Sequence, residues 1–353
     1  MGIVYALLIF AFLVLVHELG HFLAAKACGV QVNEFAIFMG PAIFKKKIGN
    51  TLYSLRCIPF GGYCAMEGED SDSENPHAFT RAARWKRVII LVAGAAMNFL
   101  VGLIIIAVTL GAAESYVEPV ISSVEPWSTA SEGNGLQAGD TIVEFNGKEI
   151  VIFEDFTLAT AMLPNGEYPV VVERDGQRVE LPSVNMTRQR AQYSDGTEAM
   201  LYGLNFTKAE TTWESVPGRI WPTAASYVDS VIMSIKMLFN GQAGLGDMSG
   251  PVGIVNIMNE SAQAAEDAAG AFMNVLSIGG LIAINLAVMN LLPIPALDGG
   301  RIVALLITVA IEKVIGRKID SKYEGYIHGA GMILLLGLMA VIMFKDIFVI
   351  LKG

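Results

Sequence analysis

Residues 16–21 read Val16-His17-Glu18-Leu19-Gly20-His21, inside a run from Ile3 to Ala27 that is almost wholly apolar and contains no proline. On a helix, residues four apart share a face, so the imidazoles of His17 and His21 project together with Glu18 close by. A soluble amphipathic helix would need a polar face, and residues 1–16 supply none. Ionisable groups within an apolar stretch of membrane length are costly and rare, and their default reading is functional. Two nitrogen donors at this spacing suit a metal ion.

The 353 residues are 53% apolar and 16% charged. That is too apolar for an ordinary soluble enzyme and too polar for a bare helix bundle, so spans plus an extramembrane domain are expected. A cleavable signal peptide is the rival for the first 28 residues. It would need a basic start, a shorter apolar core and an A-x-A site, none of which is present. Cys28, Cys57 and Cys64 all precede residue 65 and offer neither a disulfide framework nor a C-x-x-C metal site. Further apolar segments lie at about 88–111, 272–292 and 329–350, giving four spans in all.

Basic residues orient these spans. Residues 26–87 carry nine Lys or Arg and 301–327 carry five, whereas 114–270 carries eight against 22 acidic residues. The positive-inside rule makes the first two regions cytoplasmic and places 114–270, with both termini, outside. The net charge of −10 is then mainly that of an acidic outer domain, which gives no reason to expect nucleic acid as a partner. Arg219 to Phe239 is also fairly apolar but is interrupted by Pro222, Asp229 and Lys236. It reads as an amphipathic helix on the outer interface, about 219–240; as a span it would invert everything after it.

Residues 33–64 alternate in the β manner, with turn signals at Gly40-Pro41, Lys47-Ile48-Gly49-Asn50 and Gly61-Gly62. The residues fit a surface hairpin and a hairpin dipping into the bilayer equally well. Between the second and third spans, "GLQAGDTIVEFNGKEI" at 135–150 and "VVVERDG" at 170–176 resemble the PDZ domain in its bacterial protease form. Such a domain implies binding of extended peptides at a sheet edge. The stretch Trp127 to Asn134 departs from the usual form, and a β domain acting only as a spacer is the alternative.

Two histidines leave a catalytic zinc site incomplete. His77 reads as surface, while His328 and Glu324 sit at the start of the last span. Asp298 is the better third ligand. It lies in Asn290-Leu291-Leu292-Pro293-Ile294-Pro295-Ala296-Leu297-Asp298-Gly299-Gly300, where two prolines break the third span and free a carboxylate to turn inward. His17 is ~21 Å down an inward-running helix at 1.5 Å per residue. Asp298 closes the third span, which also runs inward, so both reach the cytoplasmic half of the bilayer. A helix-capping role for Asp298 is the alternative.

With "HELGH" in the first span, a PDZ-like region after the second and "NLLPIPALDGG" in the third, the chain resembles the site-2 protease family. "IPFGGY" at 58–63 and "GPVGI" at 250–254 extend the match. These are intramembrane zinc metalloproteases, and the bacterial type with a single extracytoplasmic PDZ domain fits best. The resemblance implies one Zn2+ held by His17, His21 and Asp298, with Glu18 as catalytic base. It also implies that Asn285 and Asn290 lie near a substrate strand and that Asn98 belongs to a second-span motif. A helix-packing role for Gly94-x-x-x-Asn98 competes there, and Ala95 stands where the family has proline, implying a less kinked helix. The stretch 33–64 matches the family's re-entrant β element.

The fold class expected is therefore a polytopic α-helical membrane protein: four transmembrane helices, a membrane re-entrant β-hairpin element and an inserted extracytoplasmic α+β PDZ domain. Its parts are 1–113 with the re-entrant region 33–64, the PDZ domain at 114–190, a linker at 191–268, and 269–353 with spans three and four. Implied partners are the lipid bilayer, single-span membrane substrates such as anti-sigma factors or remnant signal peptides, and an upstream site-1 protease. A membrane PDZ adaptor with a degenerate site would not need both Glu18 and Asp298. A metal transporter would need a polar path that these spans lack.

Overall fold

The computed structural model describes residues 2–69, 73–133, 135–192, 198–244, 246, 248–316 and 322–352. In chain order the elements are α1 (Gly2–Cys28), β1 (Val32–Ile48), β2 (Thr51–Met66), α2 (Arg84–Ala112), β3 (Ser115–Val124), β4 (Thr141–Phe145), β5 (Lys148–Glu149) and α3 (Phe153–Thr160). There follow β6 (Gly166–Arg174), β7 (Gln177–Met186), β8 (Gln189–Gln192), β9 (Glu198–Leu201), β10 (Leu204–Glu210), α4 (Ser215–Phe239), α5 (Pro251–Gln263), α6 (Ala268–Asn290), α7 (Asp298–Ile315) and α8 (Lys322–Lys352). Asn134, Arg317 and Lys318, which entered the sequence reading, lie outside the described residues, as does the side chain of Glu324.

Among the described residues four helices are long and apolar enough to cross a membrane: α1, α2, α6 and Gly325–Val349 within α8. All four coincide with the apolar segments read from the sequence. The chain forms two compact units, residues 107–230 and the remainder.

In the helical unit, α1 packs on α5 and α6 through Ala6, Ile9, Leu13, Met258, Val275 and Ala283. Close approach is set by small residues. A Cβ on Gly20 would stand 2.4 Å from the Ala93 carbonyl of α2, so the two backbones touch there. The last span is tied to α5 by a buried carboxylate: Asp346 Oδ2 accepts from the N–H groups of Gly250 and Gly253 at 2.8 and 2.9 Å. It thereby satisfies orphan donors at the helix start from a different helix.

Residues 32–66 form more than the hairpin expected. Segment 34–37 pairs on one side with 62–65 and on the other with 52–55, and 42–48 pairs with 51–56. The two long strands each bend back on themselves, giving four segments in which 34–37 runs parallel to 52–55 and the other neighbours are antiparallel. The bends fall at Phe38 and Gly40 (φ 68 and 83) and at Gly61 (φ 70), left-handed backbone that glycine tolerates. Ile43 and Phe44 of the outermost segment are largely exposed.

The second unit carries a sheet of six strands among the described residues, in the order β10-β3-β4-β6-β7 with β5 beside β4. Its core includes Ile121, Leu136, Ile142, Phe145, Val172 and Met186. The sheet takes in 204–210, which the sequence reading treats as linker, because β10 supplies hydrogen-bond partners to β3 that would otherwise face solvent. The turn at 135–140 is fixed by a buried ion pair: Arg174 donates to both carboxylate oxygens of Asp140 at 2.6 and 2.8 Å and to the Gly135 carbonyl. The Asp140 carboxylate holds the Arg174 guanidinium above its usual pKa. Asp140→Ala leaves that cation half-buried without its partner and should cost on the order of 3 kcal/mol. A calorimetric unfolding shift below about 1 kcal/mol would show the pair to be solvent-screened.

Candidate metal centre

The centre is built at the meeting of α1, α2 and the loop joining α6 to α7. His17 Nε2 and His21 Nε2 stand 3.1 Å apart. Asp298 Oδ2 lies 3.2 Å from the first and 3.3 Å from the second. Three donor atoms thus mark a nearly equilateral triangle. Ligands at ~2.0–2.1 Å from a tetrahedral zinc are ~3.3–3.4 Å from one another, so the donor set fits such an ion without rearrangement. Asp298 Oδ2 is buried and has no hydrogen-bond partner among the described residues, as expected of an oxygen reserved for a metal.

The orientation of the rings is set from outside the triangle. His21 Nδ1 lies 2.8 Å from the Ile90 carbonyl of α2, which only accepts, so Nδ1 carries the proton and Nε2 turns its lone pair towards the triangle. His17 Nδ1 lies 3.4 Å from the Asn290 amide. Gly94 of α2 presses on both rings. A Cβ there would be 2.5 Å from His21 Nε2 and 2.7 Å from His17 Cε1.

Asp298 arrives through a constrained loop. α6 ends at Asn290 and α7 begins at Asp298, so the prolines at 293 and 295 do end the third span. Ala296 sits at φ 91, a left-handed conformation that a non-glycine residue adopts only when the surroundings enforce it. The surroundings are visible: a Cβ on Gly299 would be 2.3 Å from the Leu291 carbonyl, and one on Gly300 2.1 Å from the Ile294 carbonyl oxygen. Asp298 also occupies the first turn of α7, where its charge favours the helix dipole. It does not cap the helix, however: the N-cap is Leu297 and no side-chain cap bond is made.

Glu18 points into the same cavity of about 190 Å3, and its carboxylate accepts the Cys64 N–H of β2 at 2.9 Å. That bond brings the edge segment 62–66 to the donor triangle. Of the predicted asparagines, Asn290 lines the cavity, whereas Asn285 is exposed one turn earlier on α6. Asn98 is buried one turn beyond Gly94, and neither of its amide atoms meets a hydrogen-bond partner among the described residues. His77 is not among the cavity residues; His328 is, but outside the donor triangle.

Two contributors went unnoticed in the sequence. Arg301 donates from Nη1 to Glu69 Oε1 at 2.7 Å and from Nε to His328 at 3.3 Å, joining α7 to the chain after β2 and to α8. Its position three residues after Asp298, on the same helix face, is the signal that could have found it. For Glu69 there was none. Helix α7 itself went unread, because its basic residues mark 301–327 as a loop.

Three groups able to hold a metal ion with a further carboxylate beside them, on helices of membrane-spanning length, are the parts of a metallohydrolase built into an integral membrane protein. The chain belongs to peptidase family M50, whose family model matches residues 5–338. A Clostridium perfringens protein provisionally named a zinc metalloprotease is 34% identical over 348 residues, covering 98% of each chain. The zinc metalloprotease RasP of Bacillus licheniformis is 27% identical over 97% of each, and RasP of Geobacillus kaustophilus is 27% identical over 98% of this chain. The chain is accordingly a zinc metalloprotease of this family.

Proposed function

We propose that this protein hydrolyses peptide bonds within transmembrane segments of other membrane proteins, with His17, His21 and Asp298 as its zinc ligands. The donor triangle with edges of 3.1–3.3 Å, beside Glu18 and on membrane-length helices, carries the reading. When bound, zinc supplies Lewis acidity that makes water nucleophilic near pH ~7 and stabilises charge on an oxyanion. Glu18 takes the proton from the attacking water and returns it to the departing amine. The Cys64 N–H keeps its carboxylate aimed at the donor triangle.

A transmembrane helix has its carbonyls tied in internal hydrogen bonds and must be unwound before attack. The extended segment then needs partners, which the 62–66 edge and the amides of Asn285 and Asn290 supply. The exposed Ile43 and Phe44 support insertion of residues 33–64 into lipid as a re-entrant element. The distribution of basic residues supports an active site towards the cytoplasmic face, with both termini and the 107–230 unit outside. Strand β3 with α3 alongside supports a PDZ-type domain there, which admits substrates only after an upstream site-1 protease has trimmed them. Single-span regulators such as anti-sigma factors, or remnant signal peptides, are the substrates of that class.

Metal removal tests the assignment. A chelator should abolish cleavage of a single-span substrate in proteoliposomes, and added zinc should restore it. Asp298→Ala should lose more zinc affinity than the ~10–100-fold typical of an outer-shell change. Full zinc occupancy in that variant would remove Asp298 from the ligand set.

A further inference from the structure

Alternate residues of a strand turn their N–H groups to opposite sides, and those two apart share a side. Along the 62–66 edge of β2 the two sides have different partners. The Glu67 N–H, just beyond the strand, turns inward to the Gln31 carbonyl at 2.9 Å. The Cys64 and Met66 N–H groups turn outward, and each meets a carboxylate. Cys64 donates to Glu18 Oε2 at 2.9 Å, and Met66 donates to Glu69 Oε2 at 3.3 Å. Glu69 can reach back because the chain reverses at Gly68, which has φ 64, and a Cβ there would stand 2.9 Å from Ala78 Cβ.

The other oxygen of Glu69 is held from α7. Arg301 donates from Nη1 to Glu69 Oε1 at 2.7 Å and from Nε to His328 Nε2 of α8 at 3.3 Å. The Arg301 and Glu69 side chains are only 19% and 21% exposed, so the pair is not a solvent-screened surface contact. Arg301 also follows Asp298 by three residues, about one turn along the same helix. These contacts close a ring. It runs from Glu18 to Cys64, along the strand to Met66, through Glu69 to Arg301, back one turn to Asp298, and across 3.2 Å to His17 beside Glu18. Every member of the ring lines the cavity that holds the donor triangle.

We propose that Arg301, acting through Glu69, is a positioning residue that fixes the 62–66 edge against the donor triangle and so decides which peptide bond of a bound segment is cut. The inference rests on the reading of that edge as the partner of an unwound substrate. A single fastening at Cys64 would let the edge pivot about Glu18. Two carboxylates on N–H groups two residues apart, ~7 Å along a strand, fix its direction as well as its place. The cation of Arg301 keeps the Glu69 carboxylate turned to Met66 rather than to water. A strand paired on a pivoting edge slips by two residues, because a slip of one would turn every side chain to the opposite face.

The test uses the full-length enzyme in proteoliposomes with a single-span substrate, and reads cut positions by product mass spectrometry, zinc content and amide exchange. The unaltered chain should cut at one dominant bond. Arg301→Gln and Glu69→Ala should keep full zinc, because neither residue supplies an atom of the triangle. In both, exchange at Met66 should quicken by on the order of tenfold while residues 52–55 are unchanged. Cleavage at the dominant bond should slow by about tenfold or more, and new cuts should appear two residues to either side. Arg301→Lys keeps a cation opposite Glu69 and should keep the single cut.

A pair that only stabilised the fold would lower the amount of active enzyme without moving the cut. Quickened exchange at Met66 with the cut unmoved therefore overturns the proposal, as does unchanged exchange there in both variants. Cuts scattered by lysine as by glutamine would likewise overturn it, since the cation would then not be what holds Glu69. The underlying reading is checked separately in Glu18→Gln, where bound substrate should slow exchange across 62–66. No slowing would remove the edge from substrate binding and take the proposal with it. Slowing there, with an unmoved cut in Arg301→Gln, would sink the positioning role alone.

Discussion

Glu18→Gln leaves zinc bound and the fold intact, and lowers cleavage of a single-span substrate by about a thousandfold or more, at the upper range for general acid–base catalysis. The change preserves size and leaves a carbonyl oxygen to accept the Cys64 N–H, so the 62–66 edge remains docked. The three donor atoms belong to other residues, and their mutual distances are unaffected. What is lost is a basic oxygen in the metal cavity able to hold a proton between water and the departing amine. The check is zinc stoichiometry by mass spectrometry alongside single-turnover cleavage in proteoliposomes. Unchanged cleavage would remove Glu18 from the chemistry, and loss of zinc would make it a ligand.

Gly94→Ala should remove activity by a different route. An added methyl would fall 2.5 Å from His21 Nε2 and 2.7 Å from His17 Cε1, inside any real contact distance. Retreat of α2 as a whole is opposed by its bond to His21: the Ile90 carbonyl accepts Nδ1–H at 2.8 Å, and withdrawing it would free the ring to turn. Either movement shifts an imidazole nitrogen of the donor triangle. A 1 Å displacement costs ~10²-fold in rate, and loss of an orienting partner ~10–100-fold in metal affinity. Alanine is the better helix former by ~1 kcal/mol, so circular dichroism should show the helix content kept while zinc is lost. A variant with normal zinc and normal rate would show that α2 has room to yield.

These two residues differ in how they could be found. Glu18 is visible in a five-residue pattern, because the i, i+4 geometry of a helix turns sequence spacing into spatial convergence. Gly94 carries no chemistry of its own, and its role follows only from which helix lies against the imidazoles. Arg301 and Glu69 form a bond between residues 232 apart in sequence, and nothing local announces such a pair. The strand at 204–210 is similar. Its residues read as a linker because a single strand with exposed alternate positions has little apolar signature until it meets β3 and the two phenylalanines of α3.

The sequence by itself determined the four apolar spans, the two histidines on one helical face with their glutamate, and the proline break that frees Asp298. Each depends on local periodicity or on a residue's own backbone limits. Only the tertiary structure decided that Asp298 Oδ2 stands 3.2 and 3.3 Å from the two imidazole nitrogens, that Gly94 bounds the site, and that β10 closes the β3 edge. Those features depend on packing between segments far apart in the chain, where close approach is governed by side-chain size and left-handed turns. The stretch from Val16 to His21 thus supplies two of the three converging donor groups and the carboxylate beside them, and the fold brings the third across 277 residues.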